Sequence, residues 1–355
     1  MSSLTIPPST PLYDDEPPSP EEGPPSPRNI IEPDSDLSDN GHETGSCDTS
    51  TKSVRESIFN FIKENGRTYH AYQAGSYLFP NDPPELERLD LQFEILKVLF
   101  GGRNHFAPLE NPRKILDIGT GTGKWAVQMA KKFPNAEVTG TDLSPIQPMY
   151  YPANCKFIID DAAEPDWMIR PSSLDYVHTR VLLGAFTDFR EIIKKAYHSL
   201  RPGGYLESQE MYSMLFCDDG TMPPNYPLLV WQRRQDGAAM DAGRPMRIAN
   251  KLKRWYEQAG FVDVKEEMFK LPINSWPKDP QFKMLGRFSE QNLLDGLQGF
   301  SLAWFSRVLR WTKDEIEVDL VNVRKAISDR SVHAYLKIYV VWGRKPYPNE
   351  VPRQS

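Results

Sequence analysis

The sequence predicts an α/β fold, a mostly parallel sheet with helices on both faces. Three observations carry this expectation. Apolar runs that end in an acid recur at Ile115-Leu116-Asp117, at Ala136 to Asp142 and at Cys155 to Asp160. Helix-period segments alternate with them, the pattern of strands joined by covering helices. The first run also breaks into Gly119-Thr120-Gly121-Thr122-Gly123, ahead of a helical Trp125 to Lys132. A buried strand then feeds a glycine loop at a helix N-terminus, where backbone N–H groups stand free and a ligand can approach closely.

In chain order, residues 1–53 read as a disordered, acidic, proline-rich tail. Residues 1–51 hold eleven acids against the one base Arg28, about −10 of a chain total of −6, which leaves about +4 for the rest. With ten of the 32 prolines and few large apolar residues, the tail cannot bury enough surface to offset its chain entropy. Thr10-Pro11, Ser19-Pro20 and Ser26-Pro27 are candidate sites of proline-directed phosphorylation. An N-terminal helical segment, 54–110, follows. Val54, Ile58, Phe59, Phe61 and Ile62 predict a short amphipathic helix from Val54 to Asn65. Asp82 and Pro83 then read as the N-cap and first residue of a helix whose core face is Leu86, Leu89, Phe93, Leu96 and Phe100.

The domain that follows spans 111–346, with a C-terminal tail at 347–355. Its first turn spaces glycines at every second position, D-x-G-x-G-x-G, unlike the G-x-G-x-x-G of dinucleotide folds. Asp142, at the tip of the second strand, can accept both hydroxyls of a ribose. The third strand stops at Asp160-Asp161-Ala162, where Asp161 either meets a ligand or caps a helix. A short helix is expected near Pro165 to Met168, a fourth strand from Leu174 to Arg180 and a helix from Phe189 to Leu200. Pro202-Gly203-Gly204 makes the turn into a fifth strand. Pro245 to Gly260 reads as a helix with a glycine stop. Val262 to Glu266 and Ala334 to Trp342 read as the last strands. Between them a helical insertion at about 279–325 forms a cap, its Phe282, Phe288, Phe300, Trp304, Phe305 and Trp311 read as core.

Ligands of such sheets sit at the C-terminal strand ends, beside the point where strand order reverses. Gly119, Gly121, Asp142, Asp161 and Arg180 should converge there. His178 and Arg180 are candidates for orienting substrate or cofactor, with a purely structural histidine the alternative at 178. Tyr69 and His70 either close over the ligand or pack. The three cysteines, Cys47, Cys155 and Cys217, form no disulfide framework and no zinc spacing, which fits a reducing compartment. No apolar stretch reaches 18 residues and no signal-peptide pattern opens the chain, so nucleus and/or cytoplasm are expected and no membrane. No metal constellation stands out, and a mildly basic remainder suggests no direct nucleic-acid binding. Lys251-Leu252-Lys253-Arg254 reads as the wet face of a helix or as an import signal.

The Asp117-x-Gly119-x-Gly121-x-Gly123 turn resembles motif I of the class I S-adenosyl-L-methionine-dependent methyltransferases. Further phrases are similar, in order, to the fungal LaeA-like methyltransferases, which include the velvet-complex enzymes: Asn65-Gly66-Arg67-Thr68-Tyr69-His70, Asp142-Leu143-Ser144-Pro145-Ile146-Gln147-Pro148, Leu200-Arg201-Pro202-Gly203-Gly204-Tyr205, Phe305-Ser306-Arg307-Val308-Leu309 and Gly343-Arg344-Lys345-Pro346. The resemblance covers roughly residues 60–346. It implies a seven-stranded Rossmann-like fold and S-adenosyl-L-methionine held by Asp117, Gly119, Gly121, Gly123, Asp142, Asp161 and Ala162. In that set, Gly119 and Gly121 meet the methionine portion and Asp117 supports the loop. Thr120 stands where the best-known members carry Cys, a small-for-small change. The resemblance also implies a nuclear regulatory role in secondary metabolism or development, velvet-type protein partners and a protein acceptor. A small-molecule acceptor in a biosynthetic pathway, or a non-catalytic scaffold, are the alternatives.

Overall fold

The computed structural model describes residues 59–350. The acidic tail, its Ser/Thr-Pro pairs, and Val54 and Ile58 lie outside the described residues.

A hairpin stands where the first helix was expected. Strands β1 (Ile62–Glu64) and β2 (Arg67–Tyr69) pair antiparallel with Glu64 opposite Arg67. The turn is Asn65-Gly66, at φ 53° and 85°, the left-handed pair that suits Asn-Gly and the twist of flanking strands. Two successive residues at positive φ cannot continue a right-handed helix, so turn chemistry overrides the apolar spacing of Phe59, Phe61 and Ile62. Helix α1 (Pro83–Leu99) follows, with Asp82 as N-cap and proline in its first turn. Its buried face carries Glu85 and Arg88 as well as Phe93, Ile95 and Leu96.

The sheet that positions the site comprises β3 (Lys114–Ile118), β4 (Glu137–Asp142), β5 (Cys155–Ile159), β6 (Leu174–Arg180), β7 (Leu200–Phe216), β8 (Val262–Pro272) and β9 (Tyr335–Arg344). Their spatial order is β5-β4-β3-β6-β7-β9-β8. From β5 to β7 the neighbours run parallel. β9 runs antiparallel to both β7 and β8, so seven strands make a mostly parallel Rossmann-like sheet. β6 is buried at every position but its last, the signature of a strand covered on both faces. Strand order reverses at β3, which has β4 on one side and β6 on the other.

Helices α2 (Lys124–Lys132), α3 (Phe189–Ser199) and α5 (Leu252–Gln258) connect strands. No helix forms at Pro165 to Met168. Instead the Trp167 indole donates to Ala162 O at 2.9 Å, Asp166 accepts the Met168 N–H at 2.8 Å, and Met168 sits at φ 53°. The helix expected from Pro245 begins only with a 3-10 turn at Ala249–Lys251. Helix α4 (Pro227–Asp241) fills a stretch for which the sequence analysis assigned no element; it buries Leu228, Trp231, Gln232 and Gln235 at helical spacing. The insertion is α6 (Pro280–Ala303), a π-helical segment at Trp304–Val308, and α7 (Lys313–Ile327), which Thr312 and Glu315 start with a reciprocal capping box. Trp304 and Phe305 are fully buried, while Phe288 is 43% exposed and so no part of the core.

Candidate functional site

Four strand ends meet at the reversal point. The loop after β3 is braced from below: Asp117 accepts the Thr120 hydroxyl at 2.6 Å and faces His178 Nδ1 at 2.8 Å. The His178 ring stacks on Trp125 at 3.7 Å, with 2° between the planes. Burial lowers the His178 pKa and outweighs the opposing pull of Asp117, so a neutral ring donates from Nδ1. Neither His178 nor Asp117 lines the cavity above. Both are positioning residues for the loop, and His178 does not reach a ligand there.

The glycines divide by task. Gly119 and Gly121, at φ 66° and 55°, line the cavity. A Cβ on Gly119 would lie 2.3 Å from a Leu182 methyl, whereas one on Gly121 would enter open space with Leu89 the nearest neighbour, 3.8 Å away. Gly123 caps α2 at φ 74°, and its Cβ would lie 2.5 Å from the Phe157 ring. It serves packing and does not line the cavity.

Asp142, at the tip of β4, accepts the Gly121 N–H at 2.8 Å through one carboxylate oxygen and the Ser144 N–H at 3.0 Å through the other. Desolvation raises its pKa above the usual carboxylate value against the pull of these two donors. Each oxygen keeps a second lone pair for a hydroxyl. The Gln147 amide donates to both Gly121 O and Ser144 O, at 2.8 and 2.9 Å, and staples the two loops together. At the tip of β5, Asp160, Asp161 and Ala162 line the same cavity. Asp161 also accepts the Ala163 N–H at 2.8 Å, closing a turn and not a helix cap.

Residues 70–81 form the roof. His70 lines the cavity, but both ring nitrogens are engaged: Nδ1 donates to Tyr72 O at 2.6 Å and Nε2 accepts the Tyr77 N–H at 3.1 Å. It shapes the roof. The Tyr72 hydroxyl reaches across to Glu164 at 2.9 Å, and Asn81 donates to the Ser144 hydroxyl at 3.2 Å. Tyr69 is turned away: it is 1% exposed, burial pushes its pKa up to about 12, and the Arg307 guanidinium lies 4.9 Å from its ring centre. It packs and does not close over the cavity.

Arg180 ends β6 and does line the cavity. Its Nε donates to Gln209 at 2.8 Å and its guanidinium lies over Phe93, 5.3 Å from the ring centre. Burial lowers its pKa to about 10, which leaves it cationic at neutral pH. Its Nη1 is buried and has no partner among the described residues. The carboxylates of Asp117, Glu207 and Glu210 act on this charge from within the fold and oppose the effect of burial. Val181 follows at φ 51°, an outlying conformation for a β-branched side chain, worth about 1–3 kcal/mol of local strain. The Leu182 N–H is held by Glu210 at 2.8 Å.

These groups bound a cavity of about 1050 Å³ including its mouth. Tyr77, Phe79, Glu85, Leu89, Gln92 and Val181 also line an adjoining inner chamber of about 780 Å³, its opening included, between α1, α4, α6 and the sheet. Leu89 and Phe300, read from sequence as core, face these spaces. The outer cavity fits an adenosyl amino acid. Asp142 suits a ribose, the open side of Gly121 admits a chain that any Cβ would displace, and Arg180 lends the wall a positive charge. Sequence reasoning gave Tyr77 no site role and missed the roof residue Phe79 and the wall residues Leu182 and Arg244, which reach the site only through folding.

Comparison with known proteins gives the following. Residues 93–266 match the methyltransferase domain family. The methyltransferase pytC of Aspergillus terreus is 39% identical over 84% of this chain and 93% of its own length. The secondary metabolism regulator LAE1 of Cochliobolus heterostrophus is 36% identical over 80% of this chain and 94% of its own. The regulator laeA of Aspergillus niger is 32% identical over 88% and 84%. Among solved structures, a Haemonchus contortus phosphoethanolamine N-methyltransferase 2 in complex with S-adenosyl-L-methionine aligns at 20% identity, covering 77% of this chain and 55% of that one, with a TM-score of 0.42.

Proposed function

The chain belongs to the LaeA-like family of S-adenosyl-L-methionine-dependent methyltransferases, and within it we propose methylation of a small molecule of fungal secondary metabolism. The observation that carries this reading is the inner chamber, which shares six wall residues with the glycine-loop cavity and lies against α1, α4 and α6. An acceptor seated there approaches the cofactor from the side bounded by Val181 and Tyr77. Bound S-adenosyl-L-methionine supplies an activated methyl group, and its transfer leaves the C–S electron pair on sulfur.

The chain's own residues bind, orient and exclude water. Asp142 takes the ribose hydroxyls. Gly119 and Gly121 would let the methionine portion lie against the backbone, and Arg180 would lend positive charge to the wall near its carboxylate. Asp161 and Ala162 bound the adenine end, and the roof from His70 to Asn81 keeps water from the reacting carbon. A second reading is a regulator acting on a protein in a nuclear complex with velvet-type proteins. The regulators LAE1 and laeA, aligned over most of their length, favour it. Incubating the full chain with methyl-labelled cofactor and a fungal extract separates the two. Label in the organic-soluble fraction is the expected outcome. Label on protein, or recovery of velvet-type proteins by pull-down with no labelled metabolite, favours the regulator. No label in either fraction, with the cofactor still bound, indicates a scaffold.

A further inference from the structure

We propose that the inner chamber is an acceptor subsite for an uncharged, mostly apolar molecule that presents carbonyl or ether oxygens to three fixed amide donors. The proposal deepens the methyltransferase reading and rests on it. The chamber's walls are largely apolar, among them Phe79, Met211, Trp231, Leu271, Phe300 and Leu336. Its charged groups are Glu85 and Arg88, and these satisfy each other: Arg88 Nη2 and Nε donate to the two Glu85 oxygens at 2.7 and 3.0 Å. With no free anion in the walls, an ammonium ligand has no counter-ion. With no free cation, neither has a phosphate or carboxylate.

The informative groups are Gln92, Asn292 and Gln232. The orientation of each amide is dictated by an obligate donor. Arg88 Nη1 donates to Gln92 Oε1 at 2.8 Å and to Asn292 Oδ1 at 3.1 Å. The Leu215 N–H donates to Gln232 Oε1 at 2.8 Å. A guanidinium and a backbone N–H cannot accept, so no flipped amide would satisfy them. The three NH2 groups therefore point elsewhere, and among the described residues they have no protein partner. They are also absent from the sealed, unpartnered polar atoms of the interior, so they reach open space. All three residues line the chamber, from α1, α6 and α4. Three N–H donors whose own oxygens are taken select for ligand acceptors; Gln235, whose Nε2 donates to Phe300 O at 2.7 Å, turns its oxygen to the chamber, and the Ser213 and Ser289 hydroxyls complete the polar lining. A site of this kind rejects an analogue lacking the oxygen far more strongly than one lacking a methylene.

The test uses the full chain saturated with S-adenosyl-L-homocysteine, whose own affinity is measured first by calorimetry. A panel of neutral fragments carrying a ketone or lactone is then compared by NMR with the same skeletons bearing CH2, and with primary-amine counterparts. Oxygen-bearing fragments are expected to bind at least tenfold more tightly than their CH2 partners. Asn292→Asp and Gln232→Glu keep the oxygen facing Arg88 and the Leu215 N–H but turn the donor into an acceptor. Each should lose that preference at least tenfold and gain amine binding, with homocysteine-product affinity unchanged. Equal binding of ketone and CH2 fragments, or an unaltered preference in both variants, would overturn the proposal while leaving the cofactor site standing. Failure of S-adenosyl-L-homocysteine to bind the unmodified chain would instead overturn the methyltransferase reading, and the acceptor subsite with it.

Discussion

Gly121 is the residue on which the proposed cofactor binding turns. Its φ of 55° is left-handed, and the space its Cβ would enter is open. Gly121→Val should cost the fold about 1–2 kcal/mol in backbone strain while filling the space the methionine portion needs. Calorimetry with S-adenosyl-L-homocysteine should then show no measurable binding, with circular dichroism unchanged; retained affinity would reject the loop assignment. Glu210 offers a test on pH. Burial raises its pKa to about 8 from a model-compound value of 4.5. The folded chain then holds a proton that the unfolded chain has released, so this group stabilises fully below pH 4.5. That stability falls as pH rises towards 8, by at most about 1.4 kcal/mol per pH unit. Glu210→Gln keeps an oxygen for the Leu182 N–H and an amide for Thr179, which the carboxyl meets at 2.8 and 3.1 Å. Relative to the unmodified chain it should be more stable at pH 8 and nearly equal at pH 4.5, read from melting temperatures. An equal difference at both pH values would contradict the shift.

The β1–β2 hairpin shows how an element far from the chemistry shapes the cavity. Arg67 forms a two-pronged pair with Asp82 at 2.6 and 2.7 Å, both side chains about nine-tenths buried. Asp82 also caps α1, and Asn81 beside it holds Ser144. Hairpin, roof and helix start are thus one unit. Burial alone would raise the Asp82 pKa, but the Arg67 guanidinium brings it below the usual value. The stability this pair supplies is present above about pH 4 and lost as pH falls through the depressed value. Arg67→Ala leaves a buried carboxylate unpaired and should cost about 3–5 kcal/mol, measured as a lower urea midpoint at pH 7. Arg67→Lys should recover little, because one ammonium cannot replace the fork; full recovery would show that charge alone suffices. The hairpin also marks what the sequence allowed one to read. The strands and the acids at their tips were legible because a buried parallel strand must be apolar and must end where the ligand begins. Asn65-Gly66 carried a turn signal that the reading from apolar spacing did not use. Helix α4 was not legible, since its buried face mixes Gln232 and Gln235 with Leu228 and Trp231 and blurs the periodicity. For His178 and Tyr69 the sequence left a ligand role and a structural one open, and the fold takes the structural one for each: His178 stacks under the loop on Trp125, and Tyr69 turns into the core. Sequence position does not encode which side of a strand's end faces out.

At the scale of the whole molecule, the cofactor cavity draws its walls from His70 to Arg244, and the inner chamber reaches on to Leu336. Roof, sheet ends, connecting helices and the α6 insertion all contribute, so no single element can hold the ligand alone. Binding should therefore stabilise the whole chain against global unfolding and not merely quiet one loop. With S-adenosyl-L-homocysteine at a hundredfold excess over its dissociation constant, the linkage is about 2.7 kcal/mol. For a fold of this size, each kcal/mol moves the midpoint by roughly 2–4 °C, so a rise of about 5–10 °C is expected in a thermal melt. Arg67→Ala, whose defect lies in the roof, should melt lower than the unmodified chain and still rise with the ligand. Gly121→Val should melt lower by about 2–8 °C, as about 1–2 kcal/mol of strain requires, and not rise at all. These two responses separate a damaged frame from a blocked cleft. A melt that ignores the ligand in the unmodified chain would mean that the four strand ends do not converge on a cofactor site.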